Sequence, residues 1–517
     1  MAGNDNIENN KRIMKNTLFL YVRMGFTMVI GLYTSRVVLN ALGVSDFGIY
    51  NVVGGVVAMF SILSGSLSSA VNRYLTFALG RGDIVQLKNT FSIAVKIHLI
   101  LAVVIFLLSE TIGVWFLNTQ MNIPGNRMYA ANWVFQFSLI AFVISLISVP
   151  YNASIISHER MKAFAYIGIL EVFLKLFSVL ILYYVGFSDN LIAYSIFITT
   201  VSLLIRLIYG WYCKREFVEC TYHNIRDKTL FKAMFSFAGW NFIGASSHLL
   251  RTQGINVLLN IFCGTLVNAA NGIAYQVFNA ISGFVSNFMT ALNPQITKNH
   301  AQGNKEYTFS LVFQGVRFSY YLLLLFSLPL LINTHYILQL WLKTVPEHTV
   351  LFVRLILIFA LSESLSNTLI TLMLATGNIK KYQIIVGGIQ MLNFPISYIL
   401  LKAGFFPEIV FVVSIVLSQI CLIARLILLQ GMVGLPIKKY LKKVYANVVT
   451  VTLISVPLPF LLFSLLSENF ISFLIIVVVC LISTSFSLLF VGCNRMEREF
   501  VLLKVSNVFT RKNIDSH

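Results

Sequence analysis

Asn241, Gly244, His248 and Arg251 follow one another at spacings of three, four and three in a stretch of mostly apolar residues. Those spacings put all four on one face of a helix. An amide, an imidazole and a guanidinium together are donor-rich, which suits an anion or a polyhydroxylated ligand. No acidic residue occurs in the same stretch to neutralise Arg251. Arg23 and Arg36 are alike in this respect, because no Asp or Glu stands between residues 9 and 45. The alternative is that the three arginines pair with Glu171, Glu363 or carbonyls and serve stability. Glu363, with Asn367 and Thr371 on the same helical face, could cycle protonation and so take up a proton or sodium; its alternative is a bond to Arg317 or another helix. Glu171 and Lys175, at i and i+4, read as an internal ion pair. Cys213, Cys220 and His223 match no zinc spacing, and no Walker A sequence is present, so neither a metal nor another cofactor is called for.

The elements that carry these residues must be membrane helices. Of 517 residues, 57% are hydrophobic and 11% charged, whereas a soluble chain has about 25% charged residues. Apolar runs near the roughly 20 residues that cross a bilayer recur from end to end. They predict an all-α polytopic membrane protein of about fourteen spans: 16–39, 48–72, 90–110, 129–153, 163–184, 191–212, 233–260, 267–292, 307–332, 350–374, 384–402, 409–430, 446–466 and 471–493. An arginine at the centre of such a span costs about 2.5–3.5 kcal/mol on insertion scales, so it should face water, a partner charge or a ligand. Arg73, Arg206 and Arg425 lie near inward span ends and read as snorkelling.

The net charge of +19 raises nucleic acid as a partner, but its distribution argues for topology instead. With both termini inside, the outward loops hold only Arg127, Lys343 and Lys402, while KREFVECTYHNIRDK and KKYLKK fall inside. That is the positive-inside bias of a bacterial inner (cytoplasmic) membrane protein with cytoplasmic termini. Headgroup contact with membrane lipids accounts for the basic clusters, and no nucleic-acid role is needed.

Residues 43–82 and 264–303 align at a constant offset of 221, with identities at Gly43/Gly264, Ser61/Ser282, Ala70/Ala291, Asn72/Asn293, Thr76/Thr297 and Gly82/Gly303. Along the eighth span Asn268, Asn271, Tyr275, Asn279, Ser282, Ser286, Thr290 and Asn293 form one polar stripe. Asn51, Gly55, Ala58, Gly65, Ser69, Asn72 and Thr76 form its counterpart on the second span, where close helix packing is the competing explanation. Two pseudo-symmetric six-helix lobes plus two C-terminal helices follow, with helices one, two, seven and eight around an interior. The segments are 1–212, a linker at 213–232, a second lobe at 233–430, the added helices at 431–493 and a tail at 494–517.

The run LGVSDFGIYNVVGGVV (42–57), through Gly43, Phe47, Gly48 and Tyr50, resembles the amino-terminal signature of the polysaccharide-export branch of the multidrug/oligosaccharidyl-lipid/polysaccharide exporter superfamily. The stretch from Cys263 to Lys298, with Pro294 closing the eighth span, is similar to that branch's second lobe. The resemblance implies a V-shaped cavity and a flippase that moves an undecaprenyl-pyrophosphate-linked oligosaccharide across the inner membrane by alternating access, for O-antigen or capsule synthesis. It implies a lipid-linked oligosaccharide as cargo, with a polysaccharide polymerase and glycosyltransferases as possible partners. Substrate contacts are then expected from Arg23, Arg36, Arg251, His248, Asn241, Asn271, Asn279 and Ser286, and ion coupling from Glu363. A cation-coupled multidrug-type exporter and a peptidoglycan-precursor flippase of the same superfamily are the alternatives, although the first span lacks the acidic residue typical of the multidrug branch. A polymerase or ligase would want a large outward loop bearing catalytic groups, and the outward loops here are short, so no enzymatic activity is expected.

Overall fold

The expected apolar spans are α-helical in the computed structural model, which describes residues 2–499 apart from 59, 120, 122, 343, 344 and 496. Lys343, Arg511 and Lys512 therefore lie outside the described residues, as does the Arg36 side chain. The principal helices are α1 Ala2–Ala58, α2 Ser61–Arg81, α3 Ile84–Thr119, α4 Gly125–Ser157, α5 Met161–Val185, α6 Asn190–Glu216 and α7 Lys228–Ala301. They continue as α8 Lys305–Ile332, α9 Thr349–Ser364, α10 Asn367–Thr376, α11 Lys380–Lys402, α12 Ile409–Val433, α13 Ile437–Leu465 and α14 Phe470–Gly492. A short helix, Thr334–Leu342, lies between α8 and α9. No strand occurs among the described residues. Nine described helices are long and apolar enough to cross a membrane, or ten if α9 and α10, bent by 41°, count as one span. The other four expected spans lie in α1, α2 and α7, the helices that carry Arg23, Arg251 and the polar stripes.

Both long helices break at glycine, and the breaks reproduce the sequence repeat. Gly43 interrupts α1 at φ 77, ψ 167, and Gly264 interrupts α7 at φ 83, ψ −177. That backbone region is essentially closed to residues with a Cβ. Gly82, directly after α2, and Gly303, two residues after α7, both lie in the left-handed region, at φ 70 and φ 76. The correspondence continues further along the chain. Arg127, before the α-helical part of α4, holds Asp46 and Asp189, its Nη1 standing 2.9 Å from Asp189 Oδ2. His348, 221 residues later and just before α9, meets Glu408 at 2.6 Å, just before α12. A basic side chain at the start of one helix and a carboxylate at the start of another thus recur in each half.

The chain divides into two compact units: the chain up to Ser246 with Thr290–Lys305 and Gly377–Gln383, and Ser247–Met289 with Glu306–Thr376 and the chain from Ile384 onward. In the first, α1 packs along α5 and α4 along α6, over a core that includes Val53, Ile105, Val134, Phe135 and Leu139. In the second, α9 packs on α12 and α13 on α14. The pairing of α4 with α6 is the repeat counterpart of that of α9 with α12.

A Cβ at Gly43 or Gly264 would meet nothing within 4 Å. Any cost of Gly43→Ala or Gly264→Ala is therefore backbone strain, about 1–3 kcal/mol each. Thermal unfolding of the detergent-purified variants should show a lowered midpoint for both. An unchanged midpoint would mean that the breaks relax without cost.

Candidate functional site

In the second unit Arg251 is 7% exposed, and its Nη2 stands 3.6 Å from Glu363 Oε1. A tight charge-assisted hydrogen bond would be about 2.7–2.9 Å, so this ion pair is loose. The guanidinium also lies 4.7 Å from the centre of the Phe359 ring, a cation–π contact that steadies it while leaving donors for other groups. His248 and Tyr275 are within electrostatic reach of both Arg251 and Glu363.

Around this pair the sequence brings polar side chains onto one face of each neighbouring helix. Arg251, Glu363, Asn393, Ser414, Ser418 and Arg425 line a cavity. Asn393 donates to Ser414 Oγ at 2.9 Å, Ser362 and Ser418 are hydrogen-bonded, and Gln419 donates to Ser362 at 2.5 Å. Arg425 corrects the snorkelling reading: it is 3% exposed and donates from Nη1 to Ser366 Oγ at 2.9 Å. Its head is turned to the Ser366 hydroxyl rather than outward. Arg317 is likewise removed as a partner of Glu363, because it bonds Glu497 at 2.6 Å and the Gly492 carbonyl at 2.8 Å.

Of the other expected contact residues in this unit, Asn271 is 2% exposed and donates to Asn256 Oδ1 at 3.2 Å. Asn279, Ser286 and His248 are exposed on α7. In the first unit Arg23 lies over the Phe164 ring at 4.4 Å and packs against Gly168, where a Cβ would collide with its side chain. Glu171 and Tyr209 are in its electrostatic surroundings. Glu171 accepts from Lys175 at 2.6 Å, the i, i+4 pair expected from the sequence. Asn241 donates to the Ser66 carbonyl at 3.3 Å. Several members of the second-span stripe serve packing and local bonding: Asn72 donates to the Ser68 carbonyl and Thr76 to Ser157. Gly80 allows close approach to the backbone of Lys298.

Sequence reasoning missed Glu159. It follows α4 in the left-handed region, φ 59, with its side chain 1% exposed, and receives Lys298 Nζ at 2.5 Å, Gln295 Nε2 at 2.5 Å and Arg12 Nε at 2.8 Å. Burial pulls the Lys298 ammonium below its usual range, and Glu159 opposes that shift. No sequence signal marked it: an α-helix ending in a left-handed residue usually uses glycine there, as Gly377 does after α10, whereas position 159 carries glutamate.

The decisive observation is a family match: the model for "polysaccharide biosynthesis protein" covers residues 13–300. This chain belongs to that family. Its match spans α1 to α7, including Arg23, Glu159 and Arg251, and stops short of Glu363 and Arg425. The chain is also 20% identical over 305 residues to the uncharacterized membrane protein EpsK of Bacillus subtilis (strain 168), spanning 58% of this chain and 59% of that relative's length. Among solved structures it is similar to a MATE in complex with MaL6, at TM-score 0.70 and 12% identity, covering 81% of this chain and 95% of that one. Similar too are an outward-facing multidrug resistance MATE family transporter and a MOP superfamily transporter from Pyrococcus furiosus described by the reversed polarity of its binding pocket. Both have TM-score 0.68 and 13% identity, covering 81% of this chain and 95% of theirs. At such identities the likeness is one of fold. The family is that of a polysaccharide biosynthesis protein, and the fold is one shared with multi-pass membrane proteins.

Proposed function

We propose that this chain is a flippase that carries an undecaprenyl-pyrophosphate-linked oligosaccharide across the bacterial inner membrane by alternating access. The observation that supports this most is Arg251: a buried guanidinium held only loosely by a carboxylate, in a polysaccharide biosynthesis protein. A polyprenyl tail can stay in hydrocarbon, but a diphosphate and its sugars cannot, so the protein must offer a polar, cationic path. Arg23, Arg36 and Arg251 supply the charge. Asn241, His248, Asn271, Asn279 and Ser286 supply hydrogen bonds to sugar, and Glu363 couples the cycle to a cation gradient. Glycosyltransferases build the cargo and a polymerase consumes it. A cationic-drug exporter shares the fold, but two guanidiniums beside a single carboxylate favour an anion.

Proteoliposomes containing the purified chain and a labelled lipid-linked oligosaccharide test the reading, with an impermeant glycosidase reporting which sugars have crossed. Flipping above protein-free vesicles is expected, and Glu363→Gln should flip at a rate indifferent to an imposed ion gradient. Absence of flipping, together with efflux of a cationic dye, would turn the assignment to the multidrug reading.

A further inference from the structure

Glu363 occupies the place an anion would take. The cavity it shares with Arg251 and Arg425 has room for about one water, since that is the space a single water requires. Its lining sets two guanidiniums against one carboxylate, so one positive charge is in excess. The rest of the lining is mostly hydroxyl and amide, from Gln390, Asn393, Ser414 and Ser418, with Leu417 and Cys421 beside them. Such a set repels a bare metal cation and complements the oxygens of a phosphoryl group, which guanidinium forks bind well. A phosphoryl group is too large to enter while the carboxylate stays. Glu363 is placed to leave, because its side chain is 24% exposed against 8% for Arg251 and the pair is 3.6 Å apart.

We infer that Glu363 is an internal stand-in for a phosphoryl anion, and that the diphosphate of the cargo displaces it from Arg251 and then engages Arg425 as a second ligand. The identity of the anion rests on the flippase reading; the exchange itself does not. Because both anions draw on one guanidinium, whatever removes the charge of Glu363 strengthens binding of the other, by the reciprocity of coupled equilibria. Glu363 thereby links cargo binding to its own charge state, and Arg425 keeps the pocket cationic through the exchange. Neither residue is a catalyst; no bond is made or broken.

The test uses the full-length chain in phosphatidylcholine nanodiscs, titrated separately with inorganic pyrophosphate and with undecaprenyl diphosphate. Glu363→Gln should bind each anion about fivefold or more tightly than the unsubstituted chain. Glu363→Asp, which keeps the charge but withdraws it by one methylene, should fall between and carries the comparison if the Gln variant is lost to misfolding. Arg425→Gln should weaken binding about tenfold, the value of one hydrogen-bonded charged contact. Equal or weaker binding by both Glu363 variants would overturn the exchange, and so would an Arg425→Gln variant that binds normally. If pyrophosphate follows the expected order and undecaprenyl diphosphate binds nowhere, the exchange stands and the lipid-linked cargo falls. If the lipid binds well but is indifferent to Glu363, the flippase reading survives and the exchange does not.

Discussion

Arg251→Ala is expected to abolish surface polysaccharide in cells that depend on this chain, at normal protein abundance, while Arg251→Lys retains partial export. At about 4 Å and an effective dielectric near 20, a guanidinium–phosphate pair is worth about 4 kcal/mol before desolvation is subtracted. Even a third of that is about tenfold in binding. Lysine keeps the charge but loses the planar fork and its contact over Phe359, so its intermediate result separates charge from geometry. The competing explanation is that Arg251 serves only to neutralise Glu363. That role predicts lower abundance, because the substitution would leave the half-buried Glu363 carboxylate without its cation, and it predicts that Arg251→Ala/Glu363→Gln restores export along with abundance. Full export by Arg251→Ala at normal level would remove Arg251 from the cargo path.

What the sequence could show divides according to what each signal depends on. Hydrophobic run length is local, so the all-helical membrane class was readable, as was the Glu171–Lys175 pair at one helical turn. The offset of 221 was readable from few identities because two of them, Gly43/Gly264 and Gly82/Gly303, are positions where backbone geometry demands glycine. Arg425 was misread because snorkelling was judged from distance to a span end, whereas its exposure is set by which helix packs over it. Arg251 was correctly seen to lack a partner within its own span; its loose partner stands 112 residues later on α9, and nothing local marks it. Glu159 was invisible for a related reason. Its three partners come from positions 12, 295 and 298, and nothing next to it in the chain marks them.

Glu159 also permits a prediction that separates side-chain bonding from backbone strain. Glu159→Ala removes the anion from an almost wholly buried site and leaves Lys298, 20% exposed, without it. Breaking a buried pair in this way costs about 3–5 kcal/mol. Arg12 adds little to that figure, since its side chain is 50% exposed and exposed pairs are worth about 0–1 kcal/mol. Alanine inherits the left-handed conformation at φ 59, for which an L-residue pays about 1–2 kcal/mol. Glycine does not. Glu159→Gly should therefore lose the same ion pair yet melt at a higher temperature than Glu159→Ala, with both well below the unsubstituted chain. Thermal unfolding in one detergent, at one scan rate, gives the order directly. If Ala and Gly melt together, the turn carries no strain. If neither melts lower than the parent, the bonds from Lys298 and Gln295 do not hold the segment from Thr290 to Lys305 in place.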